Sequence, residues 1–336
     1  MTRRRRPARD VAVYILCRAA LAGLALLPRR AGQAIGRCLG RAFYVASAAR
    51  RRTALENLRR AFGPALDESG RARIARAAFA HVGMICADAA YFPRLARRPS
   101  AELAVYEGTE HLQAAAAQGR GVLVFSGHFG HWELVALLQH RLGVPMAMVI
   151  RPLDNPWFDA YLTRLRRLSG NTVLPKRNAA RGVLRALRDR KAVALLIDQN
   201  VRGEGGVFVD FFGGPASTTP SLATFALKSG APIVPVFSYP MRDGRLRISY
   251  RPALRAFRRG VLQDDIREVT RACTALLEEE VRRRPEFWFW MHGRWRTRPP
   301  SDAPPRAAAP GAAAQPPAVA GPPVTTAIRS GAGRSL

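Results

Sequence analysis

The stretch GVLVFSGHFGHWELVALL, residues 121–138, contains the change of pattern that decides the fold. Its first half is a short apolar run typical of a buried strand, and its second half has the apolar spacing of a helix. Gly127 separates the two halves, so a strand ends here and a helix begins a few residues later. In an open α/β sheet, residues that follow such a strand lie where ligands bind.

Similar apolar runs, bounded by turn residues, recur at 145–150, 172–175 and 192–197, with helical segments between them. This alternation predicts an α/β fold with a largely parallel central sheet and flanking helices. Two further runs, 233–239 and 246–250, are separated by a short connection. They predict an antiparallel hairpin added to the sheet.

The N-terminal part predicts helices. Apolar residues recur at spacings of three and four between Arg50 and Tyr91, which indicates two amphipathic helices with Asp67 as an N-cap between them. Arginines at 3–6 precede an apolar stretch, residues 11–28, which is interrupted by Arg18. We expect a membrane-anchoring helix there, inserted or lying at the interface, with its N-terminus in the cytoplasm. A cleaved signal peptide is the alternative.

The chain thus divides into three predicted segments. Residues 1–49 form a basic N-terminus with the anchor helix, and residues 50–298 form the catalytic domain, which ends after a long charged helix at 264–284. Residues 299–336 contain nine prolines and no aromatic residue. Because such a composition buries little apolar surface, we expect this tail to be disordered.

The charge indicates an anionic partner. The 54 basic residues outnumber 24 acidic ones and give a net charge of +30, and all but three of the basic residues are arginines. A GC-rich coding sequence would also favour arginine. We expect a membrane and not nucleic acid, because the chain has no zinc-finger, RNA-recognition or helix-turn-helix signature. The four cysteines lack C-x-x-C spacing, so we expect neither a zinc site nor a disulfide, and no cofactor.

His128 and Glu133 are the candidate catalytic pair. A carboxylate on one ring nitrogen fixes the tautomer, and the other nitrogen can then remove a proton from a hydroxyl. His128 could instead be a turn residue and Glu133 an acid favoured by the helix dipole. A metal site with His131 lacks the H-E-x-x-H spacing, and Ser126 lacks the G-x-S-x-G frame of a hydrolase.

The segment HFGHWE, residues 128–133, resembles the H-x4-D/E motif of the bacterial lysophospholipid acyltransferase superfamily, in particular the lipid A late acyltransferases. The resemblance extends from about residue 50 to residue 299. It also includes, in the same order, NLRRAF (57–62), IRPLDNPWFD (150–159), LLIDQN (195–200), VFVDFFGGPASTT (207–219) and PEFWFWMHGRWRTRP (285–299).

This resemblance implies an enzyme on the cytoplasmic face of the inner membrane. Its members move an acyl chain from a carrier thioester, of acyl carrier protein or coenzyme A, to a hydroxyl of an anionic glycolipid. His128 then acts as general base, with Glu133 beside it. A lipid A precursor is the expected acceptor, and another glycolipid or a lysophospholipid is the alternative.

The resemblance implies two further site residues. Arg166 matches the arginine that stabilises the thioester oxyanion, although Arg167 is adjacent, and Asp198 matches an aspartate at a strand end. Arg166 could equally be a solvated helix residue and Asp198 a turn residue. Arg151, between a strand and Pro152, could bind a phosphate or fix its loop.

Two other histidines are expected to be structural. His131 suits packing or helix capping. His292 ends the cluster FWFWMH, residues 287–292, for which we expect a hydrophobic plug or a wall of the acyl groove. The helices between residues 50 and 91 are expected to line the same groove.

Overall fold

The computed structural model describes residues 7–177, 179–256 and 258–300. The strands are β1 (Ala104–Glu107), β2 (Val122–Ser126), β3 (Met146–Ile150), β4 (Thr172–Pro175), β5 (Ala192–Leu196), β6 (Val207–Phe211), β7 (Gly214–Thr218), β8 (Ile233–Pro240) and β9 (Leu246–Tyr250). The helices are α1 (Pro7–Ala25), α2 (Arg29–Ala46), α3 (Ala48–Phe62), α4 (Glu68–Asp88), α5 (Phe92–Leu95), α6 (Thr109–Ala116), α7 (Trp132–Leu138), α8 (Pro156–Arg167), α9 (Ala179–Arg188), α10 (Ser221–Ser229) and α11 (Leu262–Arg283).

The main sheet has the strand order β1-β9-β8-β2-β5-β3-β4. Strands β8, β2, β5, β3 and β4 run parallel to one another, and β9 pairs antiparallel with β8. The largely parallel sheet and the hairpin are therefore confirmed. Strand β1, which lies parallel to β9 at the edge, and the separate antiparallel pair β6–β7 were not predicted.

Strand β2 lies in the middle of the sheet, and its first four residues are almost fully buried. Alternate side chains enter opposite layers. Leu123 and Phe125 belong to the core cluster that includes residues of α3, α4 and α11, whereas Val122 and Val124 belong to the cluster that includes residues of α6, α7 and α8. A strand covered on both faces explains a continuous apolar run without polar alternation.

The two helices predicted between residues 50 and 91 are α3 and α4. The carboxylate of Asp67 caps α4 by accepting a hydrogen bond of 2.7 Å from the backbone N of Gly70, as predicted. The apolar stretch 11–28 does not form one helix, because α1 ends at Ala25 and α2 begins directly after Pro28. No helix among the described residues is long and apolar enough to cross a membrane.

Helices α2 and α4 pack with their backbones almost in contact. An added Cβ at Gly83 would lie 2.1 Å from the carbonyl oxygen of Gly36, and one at Gly40 would lie 2.2 Å from that of Phe79. Only glycine allows this approach, so α2 is fixed closely against α4.

The expectations for the arginines at 3–6 and for most of the tail fall on residues outside the described ranges. The boundaries at 49 and 298 stay predictions. The long charged helix near the end of the catalytic segment is confirmed as α11.

Candidate active site

A tight turn after β2 carries His128. Gly130 has φ +58°, and a Cβ there would lie 1.9 Å from the carbonyl oxygen of Ser238, so this position requires glycine. The backbone also bonds to the C-terminal segment, since Phe289 N donates to His128 O (3.1 Å) and Gly130 N donates to Phe287 O (3.0 Å). Backbone contacts on both sides therefore fix the conformation of this turn.

Asp198 is the carboxylate that contacts His128. Its Oδ1 lies 2.8 Å from Nδ1 of His128, and its Oδ2 accepts from the backbone N of His128 at 2.8 Å. A third donor, Nε1 of Trp288, reaches Oδ2 at 2.8 Å. The contact arises because β2 and β5 are adjacent and parallel, so residues just beyond their carboxyl ends meet.

These contacts determine the protonation states of Asp198 and His128. Burial alone would raise the pKa of Asp198, but His128 and the indole of Trp288 lower it to about 2. Burial alone would lower the pKa of His128, but the charge and hydrogen bond of Asp198, with a smaller effect of Glu133, raise it. An ionised Asp198 accepts a hydrogen bond from Nδ1–H of the imidazole, which leaves Nε2 as the free base. Nε2 lies 3.3 Å from Nε2 of Gln199.

Glu133 does not occupy the expected position. We expected its carboxylate on the imidazole of His128, but within the described part of the chain it binds Arg166 instead. Nε and Nη2 of Arg166 donate to its two oxygens at 2.9 and 2.5 Å. Glu133 lies in the first turn of α7, beside α8, and Asp198 already occupies Nδ1. The pKa of Glu133 is lowered, because Arg166 outweighs the effect of burial.

Arg166 retains one unused donor. Its Nη1 is buried and has no hydrogen-bond partner among the residues that the structure describes. The side chain is 13% exposed and borders the same cavity as His128. Arg166 is therefore not a solvated helix residue. Its Nη1 could donate a hydrogen bond to a substrate oxygen.

A cavity of about 1080 Å³ opens beside His128. Its inner wall is apolar and lies between the sheet and α7, with lining from Val124, Val135, Ala136, Met146, Met148, Ala194 and Val236. Its other walls carry cationic side chains of Arg50, Arg151, Lys176, Arg177, Arg202 and Arg296. The cavity therefore combines an apolar interior with a cationic rim, and Arg151 belongs to that rim.

The expected walls of the groove were wrong in part. Of the residues between 50 and 91, only Arg50 borders this cavity within the described ranges. Trp288 and Trp290 are buried in the core, which corresponds to the plug, whereas His292 at the end of the same cluster borders the cavity. The apolar wall comes instead from α7 and from strands of the sheet.

His131 and His292 each accept a hydrogen bond from a backbone N–H, and His292 also borders the cavity. Nδ1 of His131 accepts from the backbone N of Leu134 at 3.2 Å and so caps α7. Nε2 of His292 accepts from the backbone N of Asn200 at 3.0 Å, and burial lowers the pKa of His292 to about 4. Both act as acceptors for backbone N–H groups.

Sequence reasoning missed the roles of Gln199 and Trp288 at this site. The signal for Gln199 was its position directly after Asp198 in LLIDQN, at a strand end. No local signal identifies Trp288, which reaches Asp198 across 90 positions.

Comparison with known proteins gives one consistent family. The profile described as "Bacterial lipid A biosynthesis acyltransferase" matches residues 3–297. A "Lipid A biosynthesis acyltransferase" of Haemophilus influenzae is 29% identical over 192 residues, 57% of this chain and 58% of that protein. The "Lipid A biosynthesis myristoyltransferase" of Escherichia coli is 27% identical over 290 residues, 85% of this chain and 88% of that protein. A "Phosphatidylinositol mannoside acyltransferase" of Mycobacterium tuberculosis is 25% identical over 57% of this chain and 60% of that protein. The chain thus spans less than two thirds of the first of these relatives.

Proposed function

Because the chain belongs to the bacterial lipid A biosynthesis acyltransferase family, we propose that it moves a fatty acyl chain from a carrier thioester to a hydroxyl of a lipid A precursor. The observation that carries this proposal is His128 itself. Its Nδ1 is bound to Asp198 at 2.8 Å, and its side chain borders a cavity with an apolar interior and a cationic rim. A base beside such a cavity suits an amphiphilic anionic substrate.

The proposed reaction is a direct transfer. Nε2 of His128 takes the proton of the acceptor hydroxyl while the hydroxyl oxygen attacks the thioester carbonyl. Nη1 of Arg166, which is otherwise unpartnered among the described residues, donates to the oxyanion that develops. The tetrahedral intermediate then expels the thiolate, and the imidazolium of His128 returns the proton to sulfur. Asp198 stabilises the imidazolium between these steps.

Glu133 acts through Arg166 in this scheme. Its two oxygens bind Nε and Nη2 of the guanidinium, so Nη1 is held in a fixed direction. Its negative charge also raises the pKa of His128 and thereby its basicity. Glu133 is thus a positioning residue for the oxyanion donor.

The acyl chain would lie in the apolar part of the cavity. Met146 is at the start of β3, in register with Val122, whereas His128 follows the other end of β2. The four residue steps from Val122 to Ser126 correspond to about 13 Å at roughly 3.3 Å per step. The cavity therefore offers depth for an extended hydrocarbon chain with Met146 at its far end.

The cationic rim would bind the phosphates of the substrates. Arg151, Lys176 and Arg177 lie beyond the ends of β3 and β4, Arg202 lies between β5 and β6, and Arg296 lies in the segment after α11. Phosphates occur on a phosphorylated glycolipid acceptor and on the phosphopantetheine arm shared by acyl carrier protein and coenzyme A. An acidic carrier protein is our proposed donor, because complementary charge favours its approach.

We further propose attachment to the cytoplasmic face of the inner membrane by the N-terminal helices. Leu16 of α1 and Leu39 and Val45 of α2 are 72%, 62% and 72% exposed, and Trp157 of α8 is exposed beside Tyr14 of α1. Such exposed apolar side chains on basic helices favour the interface of an anionic membrane. Attachment by insertion would survive a molar salt wash, whereas attachment by charge alone would not. Quantitative release by salt would therefore contradict insertion.

The direct test of the activity uses purified protein with a thioester of acyl carrier protein, a thioester of coenzyme A and several acceptors. We expect a lipid A precursor to gain the mass of one acyl chain, fastest with the carrier protein thioester. Acylation of a phosphatidylinositol mannoside or a lysophospholipid alone would overturn the proposed acceptor. If neither thioester is consumed with any of the acceptors, the proposed reaction is overturned.

A further inference from the structure

A second buried network lies behind the catalytic turn, centred on Asp88 at the end of α4. Its carboxylate is 0% exposed. It accepts from Nε and Nη2 of Arg29 at 3.0 and 2.7 Å, from Nε2 of Gln33 at 3.1 and 2.9 Å, and from Nε2 of His131 at 2.9 Å. The network therefore joins α2, α4 and the turn that carries His128.

His131 connects this network to the turn that carries His128. Its Nδ1 accepts from Leu134 N, so the ring proton is on Nε2 and is donated to Asp88. Its backbone N donates to Oγ of Ser238 at 2.9 Å. One residue earlier, Gly130 O lies 2.9 Å from the buried Nε2 of His81. His131 is thus fixed by its ring and its backbone, three residues after His128 and two before Glu133.

The charge on Asp88 depends on α2. Burial alone would raise the pKa of Asp88, but His131 and Arg29 keep it well below its usual range. A buried carboxylate that loses its cationic partner is strongly destabilised. Without Arg29, the carboxylate would draw in water or a proton, and its hydrogen bond to His131 would change.

We propose that Asp88 is a positioning residue for the catalytic turn, which acts through His131 and is completed by Arg29 and Gln33 of α2. Helix α2 is then part of the catalytic scaffold as well as a surface element. This inference rests on the proposed catalytic role of His128. None of Asp88, Arg29, Gln33 and His131 borders the cavity beside His128, so their contribution is indirect.

Helix α2 connects the two roles because it has two different faces. One face places Arg29 and Gln33 on Asp88 and its glycines against α4. Outside that face, Leu39 and Val45 of α2 are exposed. Movement of α2 at a membrane surface would therefore reach His131 through a chain of direct contacts.

The test compares Arg29→Ala with Arg30→Ala in the full-length protein. Both residues lie on α2 and donate to the backbone of the same connection, Arg29 to Gly244 O and Arg30 to Asp243 O, but only Arg29 also binds Asp88. Loss of charge at the membrane is thus matched. Turnover and KM for acceptor and donor are measured well below the unfolding midpoint of each variant, so that all protein is folded.

We expect Arg29→Ala to lower turnover at least tenfold with both KM values within twofold, and Arg30→Ala to leave turnover within twofold. Arg29→Lys should recover part of the loss, because it restores the charge. Gln33→Met, which removes one donor at similar volume, serves if Arg29→Ala fails to fold, and should lower turnover about threefold. Unchanged turnover in folded Arg29→Ala or Gln33→Met, or a loss confined to KM, would overturn the proposal. Full activity of the His128→Ala protein would instead overturn the proposed base. That outcome is distinct from unchanged turnover in Arg29→Ala, which overturns the role of Asp88.

Discussion

The carboxylate of Asp198 accepts hydrogen bonds from both Nδ1 and the backbone N of His128, each at 2.8 Å, although 70 positions separate the two residues. One carboxylate thus fixes the ring and the chain position of the proposed base. The arrangement joins the ends of two neighbouring parallel strands, and Trp288 closes it from the C-terminal segment. Asp198, and not Glu133, is the residue that orients the imidazole.

This relationship predicts the pH dependence of the reaction. The base must be neutral, so activity is lost as the pH falls through the pKa of His128, which is raised above the ordinary value of about 6.5. Asp198→Asn removes the main cause of that rise. We therefore expect the acidic limb of kcat/KM to move to lower pH in Asp198→Asn, at a reduced maximum. An acidic limb that stays in place would show that another group controls it, with Glu133, Arg166 and His292 as the other charged or titratable neighbours.

Arg166→Ala should lower turnover more than it raises KM for the acceptor. The change removes the Nη1 donor and leaves Glu133 without its partner, and loss of one oxyanion donor costs about 3 kcal/mol, or roughly 10²-fold in turnover. Arg167→Ala is the control, because it removes the same charge one position along α8. Steady-state kinetics of both variants check this, and an effect on KM alone would assign Arg166 to binding.

The far end of the cavity should set the acyl chain that is transferred. Met146→Trp fills the inner end, so we expect competition between thioesters of different length to shift towards shorter chains, and Met146→Ala should shift it towards longer chains. Met146 is far from His128 along the strands, so turnover with the preferred chain should change little. An unchanged chain preference in both variants would place the acyl chain elsewhere.

The contact between α2 and α4 gives a prediction for stability. In Gly83→Ala the new Cβ would meet the carbonyl oxygen of Gly36, so the helices must separate, which we expect to lower the free energy of unfolding by about 1–3 kcal/mol. Gly23→Ala in α1 is the matched control, since no atom lies within 4 Å of its added Cβ. Thermal unfolding of both proteins distinguishes them, and equal midpoints would contradict the close packing.

Local patterns were sufficient for much of this molecule. The apolar run before His128 identified the central strand, and Asp67 identified the start of α4, because both depend on residues close in sequence. The partner of Glu133 could not be predicted, since Arg166 lies on a different helix and the choice between it and His128 depends on tertiary packing. For the same reason β1 was missed, because its four residues form a strand only beside β9.

The central claim is that His128, oriented by Asp198, is the base of acyl transfer. The most direct measurement is the rate of transfer from the carrier thioester to a lipid A precursor by His128→Ala, Asp198→Asn and Glu133→Gln, each shown to be folded by its thermal unfolding. The account predicts a loss of about 10²-fold to 10⁴-fold for His128→Ala, a large loss for Asp198→Asn, and a smaller one for Glu133→Gln. If folded His128→Ala transfers the acyl chain at the rate of the unsubstituted protein, the central claim is contradicted.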